Sequence, residues 1–160
     1  MKKVIKNYLA KLQENDKKGF SLVELIIVMA IMAILVGVVA SQVLPYMEKS
    51  RQSKDQQVLS SICTDVVSSI AQATSDVAAF DEKVDTLKSG ATGDLGLVGA
   101  QFEELHGATT SAGLHLKSSA AKGKDVYVCY TKNSSGNKGT VEVYVAGHKG
   151  KNDKLTVVSD

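Results

Sequence analysis

A single carboxylate lies inside the most apolar stretch of this sequence. Between Phe20 and Ala40 the only charged residue is Glu24. A carboxylate at the centre of a helix that is otherwise fit for lipid costs roughly 2.5 to 3.5 kcal/mol, so such a group usually has a partner. The chemistry that this pattern indicates is ion pairing, and the question that it raises is which cation meets Glu24.

Other residues with chemical potential are scattered along the chain. Acidic residues that could contribute to a calcium site precede or enter a glycine-rich segment: Asp81, Glu82, Asp85 and Asp94. Their spacing matches no recognisable calcium loop, which favours a solvated acidic face. The histidines lack ligand spacing and are expected at surface or loop positions: His106, His115 and His148. No nucleophile, phosphate loop or metal triad stands out, so the sequence predicts no metal site, no cofactor and no enzyme.

Two cysteines allow at most one disulfide. Cys63 lies on a predicted helix stripe and Cys129 in a predicted strand, and an exported protein could join them. The alternation of the strand argues against that bond, because Cys129 falls on the side opposite Val126 and Val128. Two separate thiols, one of them buried, are therefore expected, with a Cys63–Cys129 disulfide as the alternative.

The apolar stretch has the length of a membrane-spanning helix. Leu22 to Ala40, extended by Val43 and Leu44, supplies about the ~20 apolar residues that cross ~30 Å of hydrocarbon. Near its outer end, Gly37 and Pro45 predict a bend or a locally loosened helix, because proline cannot donate a helical hydrogen bond. The alternative is that Pro45 marks the place where the helix leaves the bilayer.

The first 19 residues are basic, with six lysines against Glu14 and Asp16. By the positive-inside rule they hold this end in the cytoplasm and send the rest of the chain outward. A short amphipathic helix on the membrane surface and a flexible tail both remain open for them. From Phe20 onward there are 13 basic and 15 acidic side chains, a formal charge of −2. This balance does not predict a nucleic-acid surface, which needs a concentrated basic patch.

Beyond Pro45 the pattern predicts an amphipathic helix that continues from the apolar one to about Ala79. Apolar residues recur there at intervals of three and four: Leu59, Ile62, Cys63, Val66, Val67, Ile70, Ala73 and Val77. The charged segment from Glu48 to Gln57 is expected to be a solvated join between the two halves. The glycines between Gly90 and Gly99 predict a loop.

The C-terminal third predicts a small antiparallel sheet of about three strands. Residues 125–131 and 139–146 alternate apolar and polar side chains, and 133–137 supply turn chemistry for a hairpin. Leu155 to Val158 is the third predicted strand. Two sets of alternating residues are each expected to face one side: Val126, Val128 and Tyr130, and Val141, Val143 and Val145. This face should pack on the helix stripe, since a hairpin alone is marginal in water.

The segment from Lys17 to Leu25, KKGFSLVEL, resembles the class III signal of type IV pilins and related pseudopilins. The resemblance is specific over about Lys17 to Ala40 and covers the rest of the chain only as architecture. It implies that a prepilin peptidase cuts between Gly19 and Phe20 and that Phe20 is then N-methylated. Glycine suits such a cut, because its backbone lies extended in a protease cleft without a side-chain clash.

The resemblance also implies a role in assembly. Glu24 would be neutralised by the N-terminal amine of Phe20 in a neighbouring subunit, within a helical filament of identical chains. Such a pair fixes register more than it adds stability, because desolvation cancels much of the Coulomb gain. Many family members have glycine where Ala33 stands and proline where Ser41 stands, whereas here Gly37 and Pro45 follow about one turn later. The implied partners are the peptidase, an assembly ATPase with its platform machinery, and the membrane before assembly.

The sequence thus predicts an α+β chain in which a long N-terminal helix packs on the sheet, and the resemblance implies that this is a type IV pilin-like fold. Its parts are a removable leader (1–19), a transmembrane and filament-core segment (20–46) and a globular domain (47–160). Within that domain the helix is expected to about residue 79, a loop region over 80–124 and the sheet over 125–158. The precursor would span the cytoplasmic membrane once with the leader inside, and the assembled pilus would be extracellular.

The resemblance implies the function of a pilus subunit serving adhesion, motility, DNA uptake or secretion. A type II secretion or competence pseudopilin is one alternative. A second alternative is an ordinary secreted or membrane-anchored binding domain, cleaved after Ala40 by signal peptidase. Glu24 within the apolar run argues against that alternative, as does the helix that continues from the run.

Overall fold

The computed structural model describes residues 6–7, 20–73, 76–107, 110–133, 139–150 and 152–159. The chain divides into two compact units, Met1–Pro45 and Tyr46–Asp160. The elements are helix α1 (Leu22–Gln72), strand β1 (Phe80–Lys83), a 3-10 turn (Val84–Thr86), helix α2 (Asp94–His106) and strands β2 (Val126–Thr131), β3 (Thr140–Val145) and β4 (Thr156–Val158).

The part of α1 that lies in the unit Tyr46–Asp160 buries one face. Leu59, Ile62, Cys63 and Val66 are buried, and their spacing of three, four and seven residues places them on one side of the helix. They form one core cluster with the valines of the sheet. The predicted apolar stripe of this helix is confirmed.

The helix ends at Gln72, so the prediction that it continues to about Ala79 was wrong. Val77 is buried in the core, but residues 76–79 are not helical. The sequence after Ala73 is Thr-Ser-Asp. Side chains of these types compete with the helix by bonding to the backbone themselves, which favours an end of the helix near this point.

The sheet is antiparallel throughout, with strand order β1-β2-β3-β4. This confirms the α+β fold, although the sheet has four strands rather than the expected three. The additional strand is β1, which lies in the segment predicted as loop. Its sequence, Phe-Asp-Glu-Lys, is short and charged and therefore gives a weak strand signal. Charged residues are suited to such an edge strand, because they oppose pairing with another sheet.

The inner face of the sheet has the predicted side chains. Val126 lies opposite Val145, Val128 opposite Val143, and Tyr130 opposite Val141. All six are buried and belong to the core cluster that includes the α1 stripe. The predicted alternation in β2 and β3 is confirmed.

Helix α2 passes through glycines that were expected to form a loop. At Gly96 a Cβ atom would lie 2.1 Å from the carbonyl oxygen of Ala91, and at Gly99 it would lie 2.5 Å from the nitrogen of Lys88. These glycines therefore let the helix backbone approach the preceding segment closely. This packing seats Phe102 in the core, where its side chain is fully buried.

Candidate processing and assembly segment

Helix α1 begins with a side-chain cap from Glu24. The backbone N–H of Ser21 donates to Oε2 of Glu24 at 2.8 Å, and the carbonyl oxygen of Ser21 accepts from the N–H of Leu25 at 3.0 Å. Serine before the helix and glutamate three residues later are the residue types of a capping box. Glu24 thus satisfies one of the free N–H groups at its own helix start. The sequence contains this Ser-x-x-Glu signal, which the interpretation of Glu24 as an intermolecular contact did not use.

The cap does not neutralise the charge of Glu24. Its hydrogen-bond donor is a neutral amide, although the positive end of the helix dipole also favours a carboxylate in the first turn. Across the described ranges, no lysine, arginine or histidine side chain forms an ion pair with Glu24. The expected cation for this carboxylate is therefore not among the side chains that the structure describes.

The apolar side chains of α1 in the unit Met1–Pro45 are exposed, starting from Phe20, which is 84% exposed. By length and composition, α1 is the one helix in the described part of the chain that could cross a membrane. A soluble monomer rarely leaves so large a contiguous apolar surface open to water. This surface is suited to lipid or to other apolar helices.

The predicted kink residues lie inside the helix. Helix α1 continues through both Gly37 and Pro45, and Oγ of Ser41 donates to the carbonyl oxygen of Val38 at 2.8 Å. A Cβ atom at Gly37 would meet nothing within 4 Å, so contacts within this chain do not require glycine there. A bend at these positions stays a prediction.

The predicted cleavage site lies partly outside the described residues. Gly19 and the leader before it, apart from residues 6–7, lie outside the described residues, whereas Phe20 and Ser21 are described, and the helix begins one residue later. The cut between Gly19 and Phe20 stays a prediction, as does methylation of Phe20. Most of the expected hairpin turn, residues 134–137, also lies outside the described residues.

Both cysteines are free thiols. Cys63 is buried, and its Sγ lies 3.7 Å from the carbonyl oxygen of Val141, on the inner side of the sheet. Burial raises the pKa of the Cys63 thiol, against the opposing effect of a backbone hydrogen bond at Ser159. Cys129 lies between Asp81 and Glu142 in the sheet register and is half-buried. The two thiols are therefore separate in this structure.

The acidic residues considered for calcium make separate contacts. Asp85 accepts from the N–H and Oγ of Ser111, and Asp94 accepts from the N–H of Ala78. Asp81 bonds to the side chains of Tyr144 and Lys149, and Glu82 is exposed. Within the described ranges, no group of three His, Cys, Asp or Glu side chains is placed to hold a metal ion.

The histidines also have separate surroundings. Nδ1 of His106 lies 2.7 Å from Oδ2 of Asp65, and its ring stacks on Phe102, so this residue joins the end of α2 to α1 rather than lying free on the surface. Nδ1 of His148 lies 3.0 Å from Oδ2 of Asp153. His115 is exposed and has a positive φ of 48°.

Asp81 anchors β1 to the loop after β3. Its carboxylate accepts from the hydroxyl of Tyr144 at 2.7 Å and from Nζ of Lys149 at 2.6 Å. Burial acts to raise the pKa of Asp81, but the hydrogen bonds from Lys149 and Tyr144 outweigh it and lower that pKa below 3.8. Burial, followed by the bond to Asp81, raises the pKa of Tyr144 to about 12.

We expect Asp81→Asn to lower the free energy of unfolding slightly, by less than about 1 kcal/mol, because the Asp81–Lys149 ion pair is open to water. A carboxyl whose pKa is lowered in the folded state stabilises fully above its unfolded value of 3.8 and loses that contribution as the pH falls through the folded value. The gap in melting temperature between wild type and Asp81→Asn should therefore narrow on acidification. Thermal unfolding in nonionic detergent, from about pH 5 to about pH 2, measures it. The control is Glu82→Gln, and an equal gap at both ends of the range would contradict the assignment.

The segment predicted as a solvated join contains a buried carboxylate. Asp55 is 2% exposed, and its two oxygens accept the backbone N–H groups of Lys117 and Ser118, each at 2.8 Å. About two helical turns earlier, Oε1 of Glu48 accepts the N–H of Ser119 at 2.6 Å. Two acids of α1 thus fix three consecutive amides of a long loop. No local pattern predicts this contact, because the partners are backbone groups more than 60 residues away.

Comparison with known protein families gives one match in this segment. Residues 15–40 match the family model described as the prokaryotic N-terminal methylation motif. The searches of curated proteins and of solved structures return no match. The match covers the capped start of α1, its apolar half and the expected cleavage site.

Proposed function

We propose, from the premise that this chain carries the prepilin-type signature of type IV pilins and pseudopilins, that it is a structural subunit of a helical filament. The single observation that carries the proposal is the methylation motif at residues 15–40. In the proposal, prepilin peptidase cuts after Gly19, Phe20 becomes an N-methylated terminus, and the exposed apolar half of α1 enters the filament core. The role is structural rather than enzymatic.

The surface of α1 supports this proposal. A helix with exposed apolar side chains needs an apolar environment, and a bilayer supplies one before assembly. Parallel copies of the same helix supply another after assembly. Exchange between the two environments requires no refolding of the helix, because its backbone hydrogen bonds are satisfied internally in both.

The charge on Glu24 supports a specific contact inside the bundle. Cleavage after Gly19 would create an ammonium group on Phe20, a cation that the precursor lacks at this position. In the proposed filament, this group on one subunit pairs with Glu24 of the next. The pair sets the axial register of neighbouring helices, whereas the apolar surface alone would permit sliding.

The alternative of cleavage after Ala40 fits the structure less well. Ala40 and Ser41 both lie inside α1, which continues for about thirty residues beyond them. Oγ of Ser41 also bonds back to the carbonyl of Val38, within the segment that signal peptidase would need to unwind. These features support the proposal of processing before the helix, at Gly19.

Electron microscopy of sheared surface material tests the proposal. We expect thin filaments that bind an antibody raised against the globular unit Tyr46–Asp160. Long, abundant filaments would identify a pilus subunit, whereas short filaments seen only on overproduction would identify a pseudopilin. A chain found only as a membrane-bound or secreted monomer would contradict the filament proposal.

A further inference from the structure

A depression on the globular unit combines an apolar floor with a basic rim. It has a volume of about 390 Å³ and lies between α1 and the loop that follows α2. Half-buried Val58 and Leu114 line it and pack against the core, while exposed Lys54 and Lys117 stand at its edge. The depression is thus suited to a ligand that has an apolar side chain beside a negative charge.

A second depression shares one wall with the first. Its volume is about 400 Å³, and His115 lines both. Lys122 and Lys124 line the second and are exposed, and Nζ of Lys124 lies 3.4 Å from Nε2 of His148. The two depressions together therefore carry four lysines on one continuous surface.

The lysines outnumber the carboxylates that line these depressions, which are Asp55 and Asp125. Both oxygens of Asp55 accept loop N–H groups, and Asp125 pairs with Lys83 at 2.8 Å. In the described part of the chain, none of the four lysines forms an ion pair. The surface is therefore electropositive, even though the chain from Phe20 onward is slightly acidic.

Helix α2 presents the complementary combination. It contains three carboxylates and no lysine or arginine. Leu97 and Leu105 are 47% and 49% exposed, and they lie eight residues apart, on one side of the helix. Glu104 is exposed beside Leu105 and makes no hydrogen bond or ion pair within the described ranges. An apolar side chain and a carboxylate thus stand next to each other on an exposed face of α2.

The two surfaces lie at different levels along α1. His106 contacts Asp65, which places the end of α2 beside that residue, whereas Lys54 precedes Asp65 by eleven residues. At 1.5 Å per residue the separation along the helix axis is about 16 Å. One subunit therefore cannot close the contact on itself by a small side-chain movement, but an identical subunit displaced along the axis can supply the missing partner.

We propose that the outer face of α2 in one subunit docks into the basic depressions of the next, with Leu105 over the apolar floor and Glu104 between Lys54 and Lys117. The inference rests on the proposed filament and adds a contact between its globular units. The contact is heterologous, because a different surface is used on each side, and such contacts propagate into open fibres. Opposite charges on the two surfaces favour this pairing and oppose the same surfaces meeting each other.

Reciprocal charge reversal tests the docking. Glu104→Lys alone, and Lys54→Glu with Lys117→Glu, should each lower the yield of sheared filaments roughly tenfold or more, since like charges then face each other. The chain with all three substitutions should recover most of the wild-type yield. Matched controls are Glu82→Lys and Lys154→Glu, which reverse exposed charges outside both surfaces and should leave the yield unchanged.

The outcomes separate this inference from the filament proposal. If the wild type forms no filaments, both fail together. If wild-type filaments form but the reversed variants match them, or if the triple variant does not recover, only the docking is wrong. Unchanged yield would mean that the lysines serve another partner, such as a lipid surface or a polyanion.

A cross-link gives a readout that does not depend on yield. In a Cys129→Ser background, Leu105→Cys and Ser61→Cys place one thiol on each surface, because Ser61 lines the first depression. Mild oxidation of filaments should join the chains into a ladder of disulfide-linked oligomers. Either cysteine alone should give no ladder. Absence of the ladder from filaments of the double variant would overturn the docking.

Discussion

Glu24→Ala is expected to abolish filaments while leaving the chain in the membrane. The substitution removes one partner of the proposed buried ion pair and leaves the Phe20 ammonium of a neighbouring subunit uncompensated. Breaking such a pair costs about 3 to 5 kcal/mol per contact. A loss of that size corresponds to roughly a hundredfold or more in the association constant. Electron microscopy of sheared material, with immunoblotting of the membrane fraction, measures both parts of the prediction.

Glu24→Gln separates the two roles of this side chain. Glutamine also fits a capping box, so it can keep the hydrogen bond to the N–H of Ser21. It carries no charge and cannot neutralise an ammonium group. We expect Glu24→Gln to fail in assembly as Glu24→Ala does. Normal filament yield from Glu24→Gln would show that the cap, rather than the charge, is what assembly requires.

Asp55→Ala is expected to destabilise the globular unit by about 3 kcal/mol. It removes two charge-assisted hydrogen bonds, each worth roughly 1.5 to 3 kcal/mol, and leaves the N–H groups of Lys117 and Ser118 without their acceptors. Thermal unfolding of the full chain in nonionic detergent measures the loss. Amide hydrogen exchange should also become faster at residues 117 and 118.

Glu48→Ala is the matched control for Asp55. Glu48 holds the adjacent amide of Ser119, but its side chain is 30% exposed, so water can replace the bond. We expect it to cost less than about 1 kcal/mol. Equal effects of the two substitutions would contradict the special role that burial gives to Asp55, as would unchanged protection of the amides at 117 and 118.

The elements that the sequence predicted well are those with a strong local period. The stripe from Leu59 to Val66 repeats at helical spacing, and Val126 to Tyr130 alternates at strand spacing, so each pattern fixes both the element and its buried face. The apolar run after Phe20 was equally clear, because its length and composition match a bilayer. These features depend on residues that are neighbours in sequence.

The features that were missed depend on distant partners. Strand β1 exists because its backbone pairs with β2, about 45 residues later, and its own side chains carry little strand signal. Helix α2 accommodates its glycines because they permit close packing on Lys88 and Ala91, which no local propensity can reveal. Asp55 was expected to be solvated, because its hydrogen-bond donors are backbone amides of a distant loop and no pattern of side chains marks them.

In the candidate site, too, local features were predictable from the sequence and features with distant partners were not. Glu24 was identified from its type and surroundings, and the methylation motif supports the segment as a whole. Its cap on Ser21 was present as a local signal but was overlooked, since the apolar context pointed to an external partner. The basic depressions could not be foreseen, because Lys54 and Lys117 come together only after the loop folds onto α1.

The mass of the mature N-terminal peptide tests the central claim most directly. Peptide mass spectrometry of the chain from the membrane and surface fractions should find a terminus at Phe20 that carries one methyl group, with no leader attached. That result would establish the cut after Gly19 and the amine that is proposed to meet Glu24. A mature chain that starts at Ser41, or one that retains Met1 to Gly19 in surface material, would contradict the account.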